Sequence, residues 1–133
     1  MSHTIRLRAA WNRGQRRDDP QADSHVALPD DPSSEAEHAG IDAAEIWYWR
    51  TFNCPSGLQA DTPLALIVHA WRGQLSLWLD DHPLAENVLP DVAPLCSDIT
   101  GLLNASHRLT ICLKDNRQPG RCGLAGIVTL EIG

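Results

Sequence analysis

The chain has 133 residues, of which 43% are hydrophobic and 21% charged, with a net charge of −6. That size suits one domain around one core, and the composition excludes a fibrous or largely disordered chain. The negative charge repels phosphate backbones and anionic lipid, and no apolar run approaches the roughly 18 residues of a membrane span, so neither nucleic acid nor membrane is an expected partner.

The first eight residues carry no hydrophobic stretch after their positive charges, so no secretory signal is read there and the expected compartment is the cytoplasm. Arg6, Arg8, Arg13, Arg16 and Arg17 form a basic patch that Asp18, Asp19, Asp23, Asp30, Asp31, Glu35 and Glu37 then neutralise. Positions 4–12 alternate, with Ile5, Leu7, Ala9 and Trp11 on one side and Arg6, Arg8, Ala10 and Asn12 on the other. This predicts one half-buried strand. From 14 to 44 the periodicity vanishes while Pro20, Pro29, Pro32 and eight acids accumulate. A long, mobile acidic loop is expected, with one short helical turn near 34–38.

Positions 45–53 carry Trp47, Tyr48, Trp49 and Phe52, all favourable in strands, and stop before Pro55-Ser56-Gly57. Positions 63–72 and 75–79, joined by Arg72-Gly73-Gln74, read as a hairpin. Positions 84–92 read as a short irregular strand, and 97–104 as a helical turn with Ser97 or Asp98 capping its first amides. Two alternating strands, 108–113 and 124–132, are expected to pair and close the sheet. No long amphipathic helix and no strand–helix–strand rhythm appears. The predicted fold is therefore a single all-β domain over 1–133, a mostly antiparallel sandwich of roughly seven to nine strands.

Little of the catalytic repertoire is present. There is no glycine-rich phosphate loop and no nucleophile elbow. The six histidines have no ligand spacing, so neither a metal nor another cofactor is expected. Asp30, Asp31 and Glu35 could offer oxygens to calcium, but a flexible acidic loop rarely supplies the six to eight that the ion takes. Cys54, Cys96, Cys112 and Cys122 form no Cys-x-x-Cys and read as small buried hydrophobes; a Cys112–Cys122 bridge across adjacent strands would need an oxidising compartment. Glycoside hydrolysis needs two carboxyl groups about 5 to 10 Å apart. Of Glu45, Asp80, Asp81 and Glu131, only Asp80 and Asp81 are close in sequence, and neighbours along a strand point to opposite faces. They read as a solvated turn, and the chain is not expected to be an enzyme.

Five tryptophans stand against one phenylalanine and one tyrosine. An indole offers a wide apolar plane with one N–H donor, suited to stacking on a sugar ring or anchoring a protein interface. Trp47 and Trp49 share a strand face, opposite Tyr48, Arg50 and Phe52. If the Tyr48/Phe52 face is inward, Trp47 and Trp49 form an exposed strip; in the reverse case they are core, and the core reading carries slightly more weight. Trp78, beside Ser76, is the better candidate for exposure. His69 reads as a partly buried histidine satisfied by a neighbour.

Trp47-Tyr48-Trp49-Arg50-Thr51-Phe52-Asn53-Cys54-Pro55 resembles the Trp-Tyr-x-Arg-x-Phe run leading to a proline in the sugar-binding, jelly-roll domain of family-2 glycoside hydrolases such as β-galactosidase and β-glucuronidase. Three further pieces follow in similar order and spacing. Leu77-Trp78-Leu79-Asp80-Asp81-His82-Pro83-Leu84 lies where that family has a strand running into Asn-Gly. Asp98-Ile99-Thr100-Gly101-Leu102-Leu103 resembles its Asp-Ile-Thr segment. His107-Arg108-Leu109-Thr110-Ile111 resembles its Asn-x-Leu-x-Val pattern, with His107 in place of the asparagine. The resemblance covers roughly 45–132 and implies a galactose-binding-like jelly roll, with Arg50 and Asp98 as strand-end polar contacts and Phe52 and Leu109 in the core. In that family the catalytic acids belong to a separate barrel domain, so the resemblance does not imply hydrolysis here. Asp80-Asp81 replaces the Asn-Gly turn, which removes any ligand contact carried by that turn from the inference.

Two functions are expected from this reading. One is a non-catalytic carbohydrate-binding module in which Trp47, Trp49 and Trp78 stack on a sugar while Arg50, Asp80 or Asp81 bond its hydroxyls. The other is a protein-interaction or assembly module using the same aromatic strip.

Overall fold

The computed structural model describes residues 3–30, 45–54, 57–59, 61–102, 106–114 and 122–133. The helical turn expected near 34–38 and most of the acidic loop lie outside these residues. Among the described residues the strands are β1 (His3–Arg6), β2 (Trp11–Gly14), β3 (Asp23–Val26), β4 (Glu45–Asn53), β5 (Leu64–Val68), β6 (Gln74–Leu79), β7 (His82–Val88), β8 (Leu95–Asp98), β9 (Ser106–Lys114) and β10 (Val128–Ile132), with a 3-10 turn at Pro90–Val92. They form two antiparallel sheets, β1-β10-β5-β8 and β3-β2-β4-β9-β6-β7. The fold is the predicted all-β sandwich.

Alternation decides which side of each strand is buried. In β4 the residues Ile46, Tyr48 and Phe52 point inward. In β9 it is His107, Leu109, Ile111 and Leu113, and in β6 Leu75, Leu77 and Leu79. These meet Leu64, Leu66 and Val68 of β5 and Val128 and Leu130 of β10 from the smaller sheet. Phe52 and Leu109 are in the core as expected, and Asp98 makes its polar contact at a strand end, whereas Arg50 lies inside β4 and reaches the Ala9 carbonyl. A one-residue slip would turn each apolar set outward, so the core fixes the register.

Several predicted elements fold differently. Positions 4–12 are two strands in different sheets: Ala10 has a φ of 63°, and at that corner the chain leaves β1 and enters β2. The alternation survives the corner at Leu7 and Trp11, which are both buried, while Ile5 is exposed. Part of the expected acidic loop is strand β3. The 63–72 and 75–79 segments are not a hairpin, because β5 belongs to the smaller sheet and β6 to the larger; the chain crosses the sandwich between them and buries Trp71 on the way. The hairpin is β6–β7, with Leu79 opposite His82 across Asp80 and Asp81. The segment from Leu95 to Asp98 is β8 rather than part of a helical turn; Asp98 Oδ1 accepts the Thr100 N–H at 2.9 Å and turns the chain instead of capping a helix. The strands β9 and β10 do not pair with each other: β9 lies between β4 and β6, and β10 between β1 and β5. His69 is exposed rather than partly buried, and its Nε2 meets Thr129 Oγ1 at 2.9 Å. No helix among the described residues is long and apolar enough to cross a membrane.

Candidate functional site

The inward turn of Ile46, Tyr48 and Phe52 sends Trp47 and Trp49 to the outer face of the larger sheet, where both are half-buried. Trp11 and Trp71 are the core indoles, and their N–H groups donate to the Leu7 and Val88 carbonyls at 2.7 and 3.2 Å. Register builds the outer face row by row. Trp49 and Trp78 flank Thr110 of β9 from its two sides, while Trp47 and Ser76 flank Cys112. Glu45 and Gln74 flank Lys114 in the next row.

Thr110 and Cys112 are small, so the large indoles on either side lean across β9. The rings of Trp47 and Trp78 meet above it at 5.6 Å between centroids, with 15° between planes. This explains why Thr110 and Cys112 are 0% and 1% exposed although they lie on the outward side of the sheet. Burial, and then Glu45, push the Cys112 thiol up to about 12. It is an unreactive floor group, and no disulfide joins it to Cys122, which is also buried.

Beside the stacked pair lies a recess of about 280 Å³, lined by Trp47, Ser76, Trp78, Glu86, Asn87 and Lys114, with Cys112 below. The two edge residues, Glu86 and Asn87, reach it because the β6–β7 register shifts there and Asn87 takes a φ of 51°. Ser76 Oγ accepts the Asn87 N–H at 3.2 Å and holds that irregular backbone. Three buried polar atoms of this face have no hydrogen-bond partner among the described residues: Trp47 Nε1, Thr110 Oγ1 and Arg108 Nε. Buried polar groups are nearly always paired, and of the four such orphans among the described residues three lie on this face, the fourth being Arg13 Nε.

The loop between β2 and β3 folds over the other side of the strip. Asp19 braces it internally, accepting the Gln15 and Gln21 N–H groups at 3.0 and 2.9 Å. It packs so closely that a Cβ at Gly14 would lie 2.7 Å from Asp19 Cβ, which is why glycine sits there. From this loop Arg17 lies over the Trp78 ring at 5.6 Å and reaches Asp81 at 3.5 Å. Asp18 pairs with Arg108, whose guanidinium lies over Trp49 at 5.5 Å. Sequence reasoning missed Arg17, Asp18 and Arg108, because nothing local in their pattern tells which strands they meet.

The six expected ligand residues therefore divide. Trp47, Trp49 and Trp78 share the outer face. Asp80 and Asp81 form the turn of the β6–β7 hairpin at its margin. Asp80, at a φ of 54°, accepts the Arg108 N–H at 2.9 Å through Oδ1 and faces His107 Nδ1 at 2.6 Å through Oδ2. The Arg108 N–H first, and then His107, hold its carboxyl below the usual carboxylate range. Both Asp80 oxygens are thus engaged in fixing the turn and the start of β9, while Asp81 is fully exposed. Arg50 is not with the others. Its Nη1 donates to the Ala9 carbonyl at 2.6 Å, it lies over the Trp11 ring, and it lines a separate cleft of about 290 Å³ with Ile5, Thr51 and Asn53. The alternation that sends Trp47 and Trp49 outward sends Arg50 to the opposite side.

No group of three or more His, Cys, Asp or Glu among the described residues is placed to hold a metal ion. Asp30, one of the three oxygen donors considered for calcium, is instead buried against Arg13 and Tyr48; Asp31 and Glu35 lie outside the described residues.

No family model matches the sequence, and no curated protein matches it. Solved structures do. The chain is similar to a Faecalibacterium prausnitzii β-glucuronidase with a TM-score of 0.75 and 15% identity, covering 98% of this chain and 31% of that one. A Bacteroides uniformis β-glucuronidase gives 0.75 and 16% over 99% of this chain and 18% of that one. A Dictyoglomus thermophilum β-D-glucuronidase gives 0.76 and 11% over 98% and 28%. At these identities the likeness is one of fold, and it establishes the jelly-roll sandwich that the resemblance over 45–132 implied. It also extends into the strands before position 45, which that resemblance did not cover. The chain spans less than a third of the length of each of these three.

Proposed function

We propose that this β-sandwich is a non-catalytic carbohydrate-binding module whose ligand surface is the outer face of the larger sheet. The observation that carries the reading is the half-buried Trp47–Trp78 pair beside a polar recess, with the Trp47 N–H unpartnered among the described residues. A sugar brings an apolar ring face for an indole and hydroxyls for Glu86, Asn87, Lys114 and Trp47 Nε1, and it would give the Trp47 N–H an acceptor. The engagement of both Asp80 oxygens by Arg108 and His107 supports the non-catalytic part of the reading. Turnover of nitrophenyl glycosides that is abolished by Asp80→Asn would contradict it.

The test is calorimetry and tryptophan fluorescence with methyl galactoside, methyl glucuronide and soluble plant and algal polysaccharides. Binding at millimolar or better affinity is expected from at least one of them, weakened about tenfold by Trp78→Ala, the size of one lost stacking contact. Absence of heat and of fluorescence change across the panel rejects the reading. A second reading, protein docking on the same face, draws on the tryptophan–arginine pairs, because these two residue types dominate the energetics of protein interfaces. Self-association on size-exclusion chromatography that is lost in Trp78→Ala would favour it.

A further inference from the structure

The half of the strip beyond the recess is covered. Arg17 occupies ring surface on Trp78, Arg108 occupies ring surface on Trp49, and the contacts holding them come from one internally braced loop. A planar cation over an indole takes the place that a sugar ring would use. The contacts that keep the loop down are nearly all electrostatic and at the surface. The side chains of Arg17 and Asp81 are 43% and 103% exposed, and those of Arg108 and Asp18 are 36% and 62% exposed. Exposed ion pairs contribute little and weaken with salt. The loop buries no large apolar side chain there: residues 15–21 are Gln, Arg, Arg, Asp, Asp, Pro and Gln. A segment fastened mainly by such pairs opens at low free-energy cost.

We infer that the β2–β3 loop is an electrostatic strap over the Trp49–Trp78 half of the platform, released when the Arg17–Asp81 and Asp18–Arg108 pairs part, so that a glycan longer than the recess is admitted only with the strap open. The part concerning glycans rests on the carbohydrate reading; the strap itself does not. On opening, Arg108 loses its carboxylate partner, and the ring faces of Trp78 and Trp49 that Arg17 and Arg108 occupy become available to a ligand.

The test needs no ligand. Acrylamide, a neutral quencher, is titrated against tryptophan fluorescence while NaCl rises from about 10 mM to about 1 M, which shortens the screening length from about 30 Å to about 3 Å. The quenching constant is expected to rise about twofold or more in the wild type. In the Arg17→Gln/Asp18→Asn double variant it should be raised already at low salt and no longer respond to it. Asp81→Asn, which touches only one of the two pairs, should lie between. A wild-type constant unaffected by salt, or a double variant that keeps the full salt response, overturns the strap. If quenching behaves as expected while the sugar panel stays silent in both proteins, the strap stands and the carbohydrate reading falls.

Discussion

Replacing Arg13 by methionine is expected to lower the free energy of unfolding by about 3 to 5 kcal/mol, the cost of removing one partner from a buried charge pair. Asp30 is 1% exposed, and Arg13 Nη1 lies 2.9 Å from each of its carboxylate oxygens. The Tyr48 hydroxyl donates to Oδ2 at 2.6 Å. Burial and then the neighbouring Asp30 raise the Tyr48 phenol, as an ionised carboxylate at that distance requires. Methionine fills the volume of the arginine stem but takes away the guanidinium that lies against the buried Asp30 carboxylate. Tyr48→Phe, which deletes one hydrogen bond to a charged group and a long one accepted from the Leu124 N–H at 3.4 Å, should cost less, about 1.5 to 3 kcal/mol. Urea unfolding of the three proteins measures both, and a loss below about 1 kcal/mol for Arg13→Met contradicts the assignment. The pair matters to the candidate site because Arg13 lies in β2 opposite Tyr48, at the root of the β2–β3 loop.

Gly73→Ala should cost about 2 to 4 kcal/mol, for two reasons that add. Gly73 has a φ of 101°, where a side chain is strained, and a Cβ there would lie 2.6 Å from the Lys114 carbonyl oxygen and 3.1 Å from Cys122 Sγ. The carbonyl is backbone of β9 and cannot swing away. Gly57 provides the internal control: its φ is 83°, but a Cβ would meet nothing within 4 Å. Alanine at 57 should therefore cost only the conformational part, about 1 to 2 kcal/mol. Equal losses at the two positions would show that the close approach of the chain to β9 at Gly73 has no energetic weight. This approach fixes where β6 joins β9, and with it the position of Trp78 over Thr110.

The architecture was legible where local pattern decides it. The alternation of Ile46, Tyr48 and Phe52 against Trp47 and Trp49 marks β4 to the residue, and the absence of helical periodicity is enough for an all-β sandwich. Which of the two β4 faces is inward was not legible, because aromatic residues lie on both. The choice is made by partners distant in sequence: Tyr48 has Asp30 and Arg13 waiting inside, whereas Trp47 and Trp49 face small residues of β9. Strand partnership failed for a related reason. A turn such as Arg72-Gly73-Gln74 looks the same whether the chain doubles back within one sheet or crosses to the other, and only the packing of Trp71 and the bridge from Arg72 to Gly123 reveals the crossing. Arg50 stands among the expected ligand residues, yet the period of two already puts it with Tyr48 and Phe52 on the face opposite Trp47 and Trp49. The strap lies in a segment without periodicity, so its contacts with Trp78 and Arg108 had no signature at all.

The claim on which the functional account depends is that ligands meet the outer face of the larger sheet. It is tested most directly by following the five indole N–H resonances in ¹⁵N-labelled protein through the same titration with galactoside, glucuronide and polysaccharides. The account predicts that Trp47 and Trp78 shift with ligand, Trp49 follows with the longer glycans, and Trp11 and Trp71 stay fixed in the core. Shifts confined to Trp11 or Trp71, or five resonances that no member of the panel moves, would contradict it.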